Sequence, residues 1–511
     1  MSLLERTALT TMAETCLLRR LGIDTGDERV LFLRSDSPIC QSEGFSPRAR
    51  IQVHVGGRDL VTMLDVVHGD LLATDEAGLS EAAWCELAPK PGDRASFSHA
   101  PSVESLGLIR RKIHGHELDD EQFDTIMADM VKHRYSSVEL AAFVSACSGG
   151  RLSQREVVSL TRSMVAGGAR LHWTRHIVVD KHCIGGLPGN RTTLIVVPIL
   201  TSLGMLMPKT SSRAITSPAG TADTMETLAP VNLDVLSMQR VVERTGGCVV
   251  WGQSAHLSPA DDVLIRIERM LDVESEGQLV ASVLSKKVAA GASHVIVDIP
   301  VGPTAKVRTP GEAQALCALM TKVADAFGVR VRPLVTDGTA PVGRGIGPAL
   351  EAHDVLAVLR GEHLCPRDLR ERALYLAAQL YAFANDLEDD QKALRIVTHA
   401  LDSGAAWSQF VTICEEQGGM RTPGKAAYQQ PIEATAQGVV GIIDNRRLAK
   451  VAKLAGAPHV PLAGVALETR PGQTVSRHDP LFVIHAETKG QLAYAMAYVA
   501  EHPGIVEVKY S

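Results

Sequence analysis

No two cysteines of this 511-residue chain stand in a Cys-x-x-Cys arrangement, and the nine present are scattered from Cys16 to Cys414. That dispersal excludes zinc sites of the usual spacing and points to reduced thiols in a cytoplasm. Excess positive charge is missing too: 52 Lys and Arg against 58 Asp and Glu leave a formal charge of -6. No global basic surface for a nucleic acid polymer follows from that balance, so an acidic small substrate would need a local positive site. Long apolar runs are absent. The most apolar stretch, Leu194–Met207, is too short to span a bilayer and holds Pro198 and Gly204. Between Met1 and Arg20 the charged residues Glu5, Arg6, Glu14, Arg19 and Arg20 break up the apolar ones, so no secretory signal is expected. There is no internal repeat or low-complexity tract. These absences predict a cytoplasmic, membrane-free protein with no bound metal, and the length predicts several domains.

What is present changes texture along the chain. Residues 1–100 read as β-rich: Arg50-Ile51-Gln52-Val53-His54-Val55 alternates at period two, Gly56-Gly57 signals a turn, and Leu60–Leu64 follows. Residues 104–172 read as a helical domain. Phe123, Ile126, Met127 and Met130 recur at helical spacing, as do Val138, Leu140, Ala141 and Val144. Ser153 with Glu156 forms a capping-box pattern. From 173 to 425, short β-branched runs such as Ile177-Val178-Val179 and Val295-Ile296-Val297 alternate with helical stretches, including Glu312–Phe327 and Asp368–Ala384. That alternation predicts a parallel-sheet α/β domain. Residues 426–511 read as a small α/β C-terminal domain.

Three segments carry residues suited to chemistry. Asp180-Lys181-His182-Cys183, followed by Gly185, Gly186 and Gly189 and then Asn190-Arg191-Thr192-Thr193, reads as a loop leaving an apolar strand and entering a helix. Glycines let backbone N–H groups approach an anion, a helix N-terminus adds partial positive charge, and Lys181 and Arg191 add full charges. In open α/β sheets, ligands sit at the C-terminal ends of strands. Lys209 to Asp223 packs hydroxyls around Lys209 and Arg213, a donor density suited to phosphate or a phosphorylated sugar. In the third segment, Glu274–Lys287, Ser282 and Lys286 are four apart and share one helical face. Taken singly, these segments are also compatible with a tight turn, a solvated loop and a solvated helix face.

Together they resemble the thymidine phosphorylase family of pentosyltransferases. The likeness is to its longer branch, which holds archaeal AMP phosphorylases and bacterial proteins named as thymidine phosphorylases. The resemblance runs from about residue 50 to 500. It rests on Ser212-Arg213-Ala214-Ile215-Thr216-Ser217 with Ala219-Gly220-Thr221-Ala222-Asp223, on Val301–Val307, on Gly347–Ala352 and on Gly441–Arg446. It implies a multidomain α/β protein in which a helical domain faces a parallel-sheet α/β domain across a cleft. The helical domain would be completed by residues 259–290, with a β-rich domain before it and a small C-terminal domain after. At least a homodimer is implied. Closure of the domains would bring phosphate and glycoside together and exclude water.

The resemblance also implies roles. Lys181 matches the phosphate-holding lysine of an Asp-Lys-His-Ser segment, while Cys183 stands where that segment has serine. Thr193, Ser211 and Thr221 fall at other phosphate-holding positions. His182 matches the histidine that contacts the pyrimidine and assists its departure, and Ser282 and Lys286 match base-contacting residues. Ile267 stands where thymidine-type members have an arginine. In the AMP-type branch, Gly186, the run Ser212 to Ser217, Thr221, Ser282 and Lys306 correspond to nucleotide-binding positions. Glu274 stands at the proton-donor aspartate.

The implied activity is phosphorolysis of the N-glycosidic bond of a pyrimidine nucleoside, thymidine and phosphate giving thymine and 2-deoxyribose 1-phosphate, in nucleoside salvage or catabolism. His182, Glu274 and Lys286 are the candidates to assist the leaving base. Inorganic phosphate is the co-substrate, and no cofactor is expected. One alternative is an AMP-type phosphorylase releasing base and ribose 1,5-bisphosphate, with Arg213, Thr216, Ser217 and Lys306 holding the 5′-phosphate. Another is a nucleotide-binding protein without turnover, suggested by Cys183. An anthranilate-type phosphoribosyltransferase shares the plan but not the diphosphate-binding signature.

Overall fold

The computed structural model describes residues 15–26, 28–215, 217–273 and 275–510. The charged start of the chain up to residue 14 therefore lies outside the described residues. Two compact units make up the chain: one of the residues up to Arg110 with Asp129–Leu140, the other of Arg111–Ala128 with Ala141 onward.

In the first unit, strands β1 (Cys16–Arg20), β2 (Val30–Arg34), β3 (Arg50–Val55), β4 (Arg58–Val67), β5 (Glu76–Leu79) and β6 (Arg94–His99) close into a barrel in the order β1-β5-β2-β4-β3-β6. The period-two pattern of β3 does what it predicts: Ile51, Val53 and Val55 are buried, and Arg50, Gln52 and His54 are partly exposed. Closure removes unpaired strand edges.

In the second unit, helix Gln154–Ala166 opens on the Ser153–Glu156 capping box. Glu156 also receives the buried Lys112 ammonium at 2.6 Å. Helix Glu276–Ala289 packs along Gln154–Ala166, so chain from beyond residue 275 joins the helical bundle. Val138, which belongs to the first unit and lies on the apolar face by periodicity, is exposed. It sits in the first turn of helix Ser137–Cys147, whose buried face is Leu140, Phe143, Val144 and Cys147.

Strands β7 (Val179–Cys183), β8 (Met207–Ser211), β9 (Gly247–Trp251), β10 (His294–Val301) and β11 (Arg330–Asp337) form the α/β region. β11-β10-β7 and β8-β9 are both parallel, and a parallel bridge from Val178 to Leu206 joins them into one row. Helix Thr192–Ser202, buried along nearly its whole length, packs beneath. Each fully buried Leu, Ile or Val there contributes about 2 kcal/mol of apolar burial. The polar segment Asp180–Cys183, read from sequence as a loop after the strand, is the strand itself, paired residue for residue with β10. Ion pairs and cleft contacts satisfy side chains that an apolar strand would not carry.

The C-terminal part combines the antiparallel strands Tyr428–Glu433, Gly464–Leu467 and Pro480–Ala486 with a second sheet of Gly438–Ile443, Thr474–Val475 and Val506–Tyr510. Helices Asn445–Leu454 and Lys489–Glu501 pack together. Among the described residues, no helix is long and apolar enough to cross a membrane.

Candidate active site

The C-terminal ends of β7 and β8 open into a cleft of about 120 Å³, the space of about four water molecules. Alternation along β7 decides what each side chain meets. Asp180 turns into the interior and holds two ammonium groups, Lys209 Nζ at 3.2 Å and Lys287 Nζ at 2.7 Å. Burial alone would push its carboxyl up, but these two lysines hold it below its ordinary range. Lys181 points the other way. It is fully buried and donates to Thr192 Oγ1 at 2.7 Å and Thr193 Oγ1 at 3.2 Å, at the N-terminus of helix Thr192–Ser202. Burial lowers its pKa, opposed chiefly by Cys183 and Asp298.

His182 returns to the face of Asp180. Burial, then Lys287, Lys209, Lys286 and Lys181, hold its pKa well below the ordinary value. The imidazole is therefore neutral at pH 7, with one N–H to donate. Burial pushes the Cys183 thiol up to about 11, so it too is neutral.

Across the cleft, Lys286 bonds Asp261 Oδ2 at 2.5 Å and Ser282 Oγ at 3.2 Å, which makes the spacing of four into a real pair. Lys181, Lys209, Lys286 and Lys287 all line the cleft. Only Asp180 and Asp261 are ion-paired to any of them within 4 Å among the described residues. These four lysines outnumber the two carboxylates paired to them, so the cleft favours an anion. Ser211 and Thr210 line the same cleft, and their hydroxyls are buried with no hydrogen-bond partner among the described residues. Buried hydroxyls are normally satisfied, so these two leave hydrogen-bonding capacity unused beside the cleft.

Residues 212–215, 217 and 219–221 line one side. Asp223 fastens it, its Oδ2 accepting from the N–H of Ala214 at 2.7 Å and of Gly220 at 2.8 Å. A Cβ on Gly220 would lie 2.5 Å from the carbonyl carbon of Arg213, so only glycine permits that crossing.

Residues 175–407 match the glycosyl transferase family, a/b domain, and residues 106–168 its helical bundle domain. A protein of Acidovorax sp. (strain JS42) called "Putative thymidine phosphorylase 2" is 55% identical over 489 residues, 96% of this chain and 95% of that one. A "Putative thymidine phosphorylase" of Polaromonas sp. is also 55% identical, covering 96% of each chain. Anthranilate phosphoribosyltransferase from Thermus thermophilus superposes with a TM-score of 0.52 at 18% identity, over 60% of this chain and 98% of its own. That likeness shows the fold alone. The chain belongs to the thymidine phosphorylase family of glycosyl transferases. Its reaction class is pentosyl transfer.

Most of the residues singled out in the sequence lie around this one cleft. Lys181, His182, Thr193, Ser211 and Thr221 line the cleft, and so do Ser282 and Lys286 from the helical side. Ser212, Arg213, Ala214, Ile215 and Ser217 line it along the family's signature loop. Lys306 lines it as well, and Gly186 lines an adjoining chamber. Gly186 has φ +79°, and a Cβ there would lie 2.8 Å from Lys306 Cβ. Thr216 and Glu274 lie outside the described residues.

Two arginines behave differently from their sequence reading. Arg191 adds no charge to the cleft. It is buried among Asp354 (3.0 Å), Glu351 (3.3 Å) and the Gly345 carbonyl, where two carboxylates outcompete the glycine loop for it. Arg213 is bound to Glu226 at 2.5 Å and Asp223 at 3.1 Å and lies 4.7 Å over the Trp251 ring. Sequence reasoning counted Lys209 among the donors of its segment but passed over Asp180, Lys287, Asp223 and Asp261 as site residues. Asp180 was legible as a charged residue beside Lys181, but its two partners are 29 and 107 positions away.

Proposed function

We propose that the chain is a phosphorylase in which inorganic phosphate displaces the base of a pyrimidine nucleoside, taking thymidine to thymine and 2-deoxyribose 1-phosphate. The observation that carries this reading is the cleft floor: a buried Lys181 on Thr192 and Thr193, hydroxyls on Thr210 and Ser211 with no hydrogen-bond partner among the described residues, and more lysines than carboxylates paired to them. The near-full-length relatives named as thymidine phosphorylases support it.

In this mechanism Lys181, Thr193, Ser211 and Thr221 hold the phosphate dianion. They orient one oxygen toward the anomeric carbon. The C–N bond breaks as the C–O bond forms, through an oxocarbenium-like state. The bonding pair leaves with the base, whose carbonyl takes a hydrogen bond from the neutral His182. Lys286, fixed by Asp261, stabilises the developing negative charge with Ser282 beside it. Glu274 is the further proton-donor candidate. A general acid of this kind contributes about 100- to 10,000-fold, so unchanged turnover of Glu274→Gln would remove it from the mechanism.

The test is base release from thymidine, uridine, cytidine, adenosine, AMP, CMP and UMP, each with and without phosphate. Phosphate-dependent release from thymidine or uridine is expected. No phosphate-dependent release from any of them would overturn the reading in favour of a binding protein.

A further inference from the structure

Lys181 is fully buried, yet among the described residues no carboxylate is ion-paired to its ammonium within 4 Å. Its neighbour Asp180 turns the other way and is taken by Lys209 and Lys287. The hydroxyls of Thr192 and Thr193 hold the ammonium but carry no charge. An isolated buried charge is costly and gives way to its neutral form unless another charge supports it.

The sheet supplies that charge. In the parallel pairing of β7 with β10, Lys181 lies opposite Ile296 and Cys183 opposite Asp298. Residues two apart on a strand share a face, so Asp298 projects from the face that carries Lys181, one strand over. It is wholly buried. Its Oδ1 accepts from Thr336 Oγ1 of β11 at 2.6 Å and lies 3.7 Å from Nη1 of Arg372, on helix Arg367–Ala384. Arg372 donates from its other terminal nitrogen to the Asp337 carbonyl at 2.9 Å. At 3.7 Å a guanidinium makes no hydrogen bond to a carboxylate, and Asp298 Oδ2 has no hydrogen-bond partner among the described residues. Arg372 therefore leaves part of the carboxylate's field free to act on Lys181 through a low-dielectric interior.

Other groups near Lys181 do less. Burial lowers its pKa, opposed by Cys183, then Asp298, with Arg372 adding to the fall and Asp180 opposing it. The Cys183 thiol, pushed up to about 11 by burial and then by Asp298, is neutral near pH 7 and offers no charge. Arg191, at the start of helix Thr192–Ser202, is taken by Glu351 and Asp354. His182 and the Lys209–Asp180–Lys287 group belong to the opposite face of β7.

We infer that Asp298 is a positioning residue of the cleft floor: held by Thr336 and Arg372, it keeps Lys181 an ammonium seated on Thr192 and Thr193, so that an anion meets a full positive charge. This role rests on the phosphorylase reading of the floor. Asp298 touches no substrate and acts only through Lys181, and Arg372 behind it sets how strongly it acts.

Calorimetric titration of the full chain with sulfate, a dianion throughout, tests it between about pH 6.5 and 9.5. The starting chain is Lys287→Met, so that the proton of Lys287 does not enter. Its sulfate affinity is expected to hold to about pH 8.5 and to fall beyond, as Lys181 is neutralised. Adding Asp298→Asn, which keeps the side chain's shape, should move that fall about one pH unit lower, a tenfold change in the Lys181 proton equilibrium. Adding Arg372→Gln should move it about half a unit higher. A merely structural role would weaken binding alike at every pH and could not give the two variants opposite signs. A midpoint that neither variant moves, or that both move the same way, overturns the inference. Should Asp298→Asn fail to fold, Arg372→Gln decides alone, and an unmoved midpoint there overturns it. Sulfate bound with unmoved midpoints leaves the phosphorylase reading standing, whereas a chain that binds no sulfate at any pH removes the anion seat and both readings with it.

Discussion

The cleft floor and the chamber beside it are both rich in cations, yet they are built in opposite ways. On the floor, Lys209 and Lys287 are buried and tied to Asp180, and Lys181 is buried on two threonine hydroxyls. In the chamber, Arg269, Arg446 and Lys450 are exposed and, among the described residues, in no ion pair. A buried charge must be paired to exist at all, and pairing fixes it in place. The floor is therefore suited to orienting a reacting group. An exposed charge keeps its water and its freedom, and orients nothing.

That contrast sets the size of the expected effects. Asp180→Asn should be the most damaging change, because it leaves two buried ammonium groups without a counter-charge. A loss of about 3 to 5 kcal/mol of stability is expected, read as a lowered denaturation midpoint, and a loss below about 1 kcal/mol would contradict the burial argument. Lys181→Met should lower kcat/KM for phosphate by about 100- to 1,000-fold with little change in melting temperature. Cys183→Ser should act in the other direction. Replacing a neutral thiol by a stronger donor is expected to lower the KM for phosphate by about two- to tenfold, and a raised KM would show that Cys183 does not face the anion.

A smaller effect separates the two regions by pH. Burial pulls Lys287 down to about 7, with Asp180 opposing and Lys209 adding to the fall. Lys181, His182, Cys183, Lys286 and Lys306 are the other titratable groups lining this cleft. In the empty site Lys287 sheds its proton as pH rises through that value, so the positive excess shrinks. Sulfate, a dianion throughout, should therefore inhibit about three- to tenfold more weakly at pH 8.5 than at pH 6.5. In Lys287→Met the profile should be flat. The smallest effect expected is on thymidine turnover in the chamber variant Arg446→Gln/Lys450→Gln/Lys453→Gln, within twofold of the parent. A large loss there would mean the chamber belongs to the catalytic floor after all.

The same contrast explains what was legible in the sequence. Local patterns were readable: the alternation of Arg50–Val55, the Ser153–Glu156 cap and the Ser212–Asp223 run all depend on neighbours within a few positions. So was the Ser282–Lys286 pair, one helical turn apart. Choices among distant partners were not readable. Nothing near Arg191 announces that Glu351 and Asp354 will claim it, and nothing near Arg446 announces a shared wall with Arg269. Asp180–Cys183 was misread as a loop because its polarity argued against a buried strand, and the lysines that compensate it lie on other elements.

The central claim is that phosphate held on this floor attacks the sugar carbon directly. Incubation of the enzyme with thymidine and 18O-labelled phosphate, followed by NMR of the product, tests it most directly. The account expects 2-deoxyribose 1-phosphate with 18O in the bond between C1 and phosphorus. Free 2-deoxyribose carrying oxygen from water would contradict it, and so would thymidine left intact.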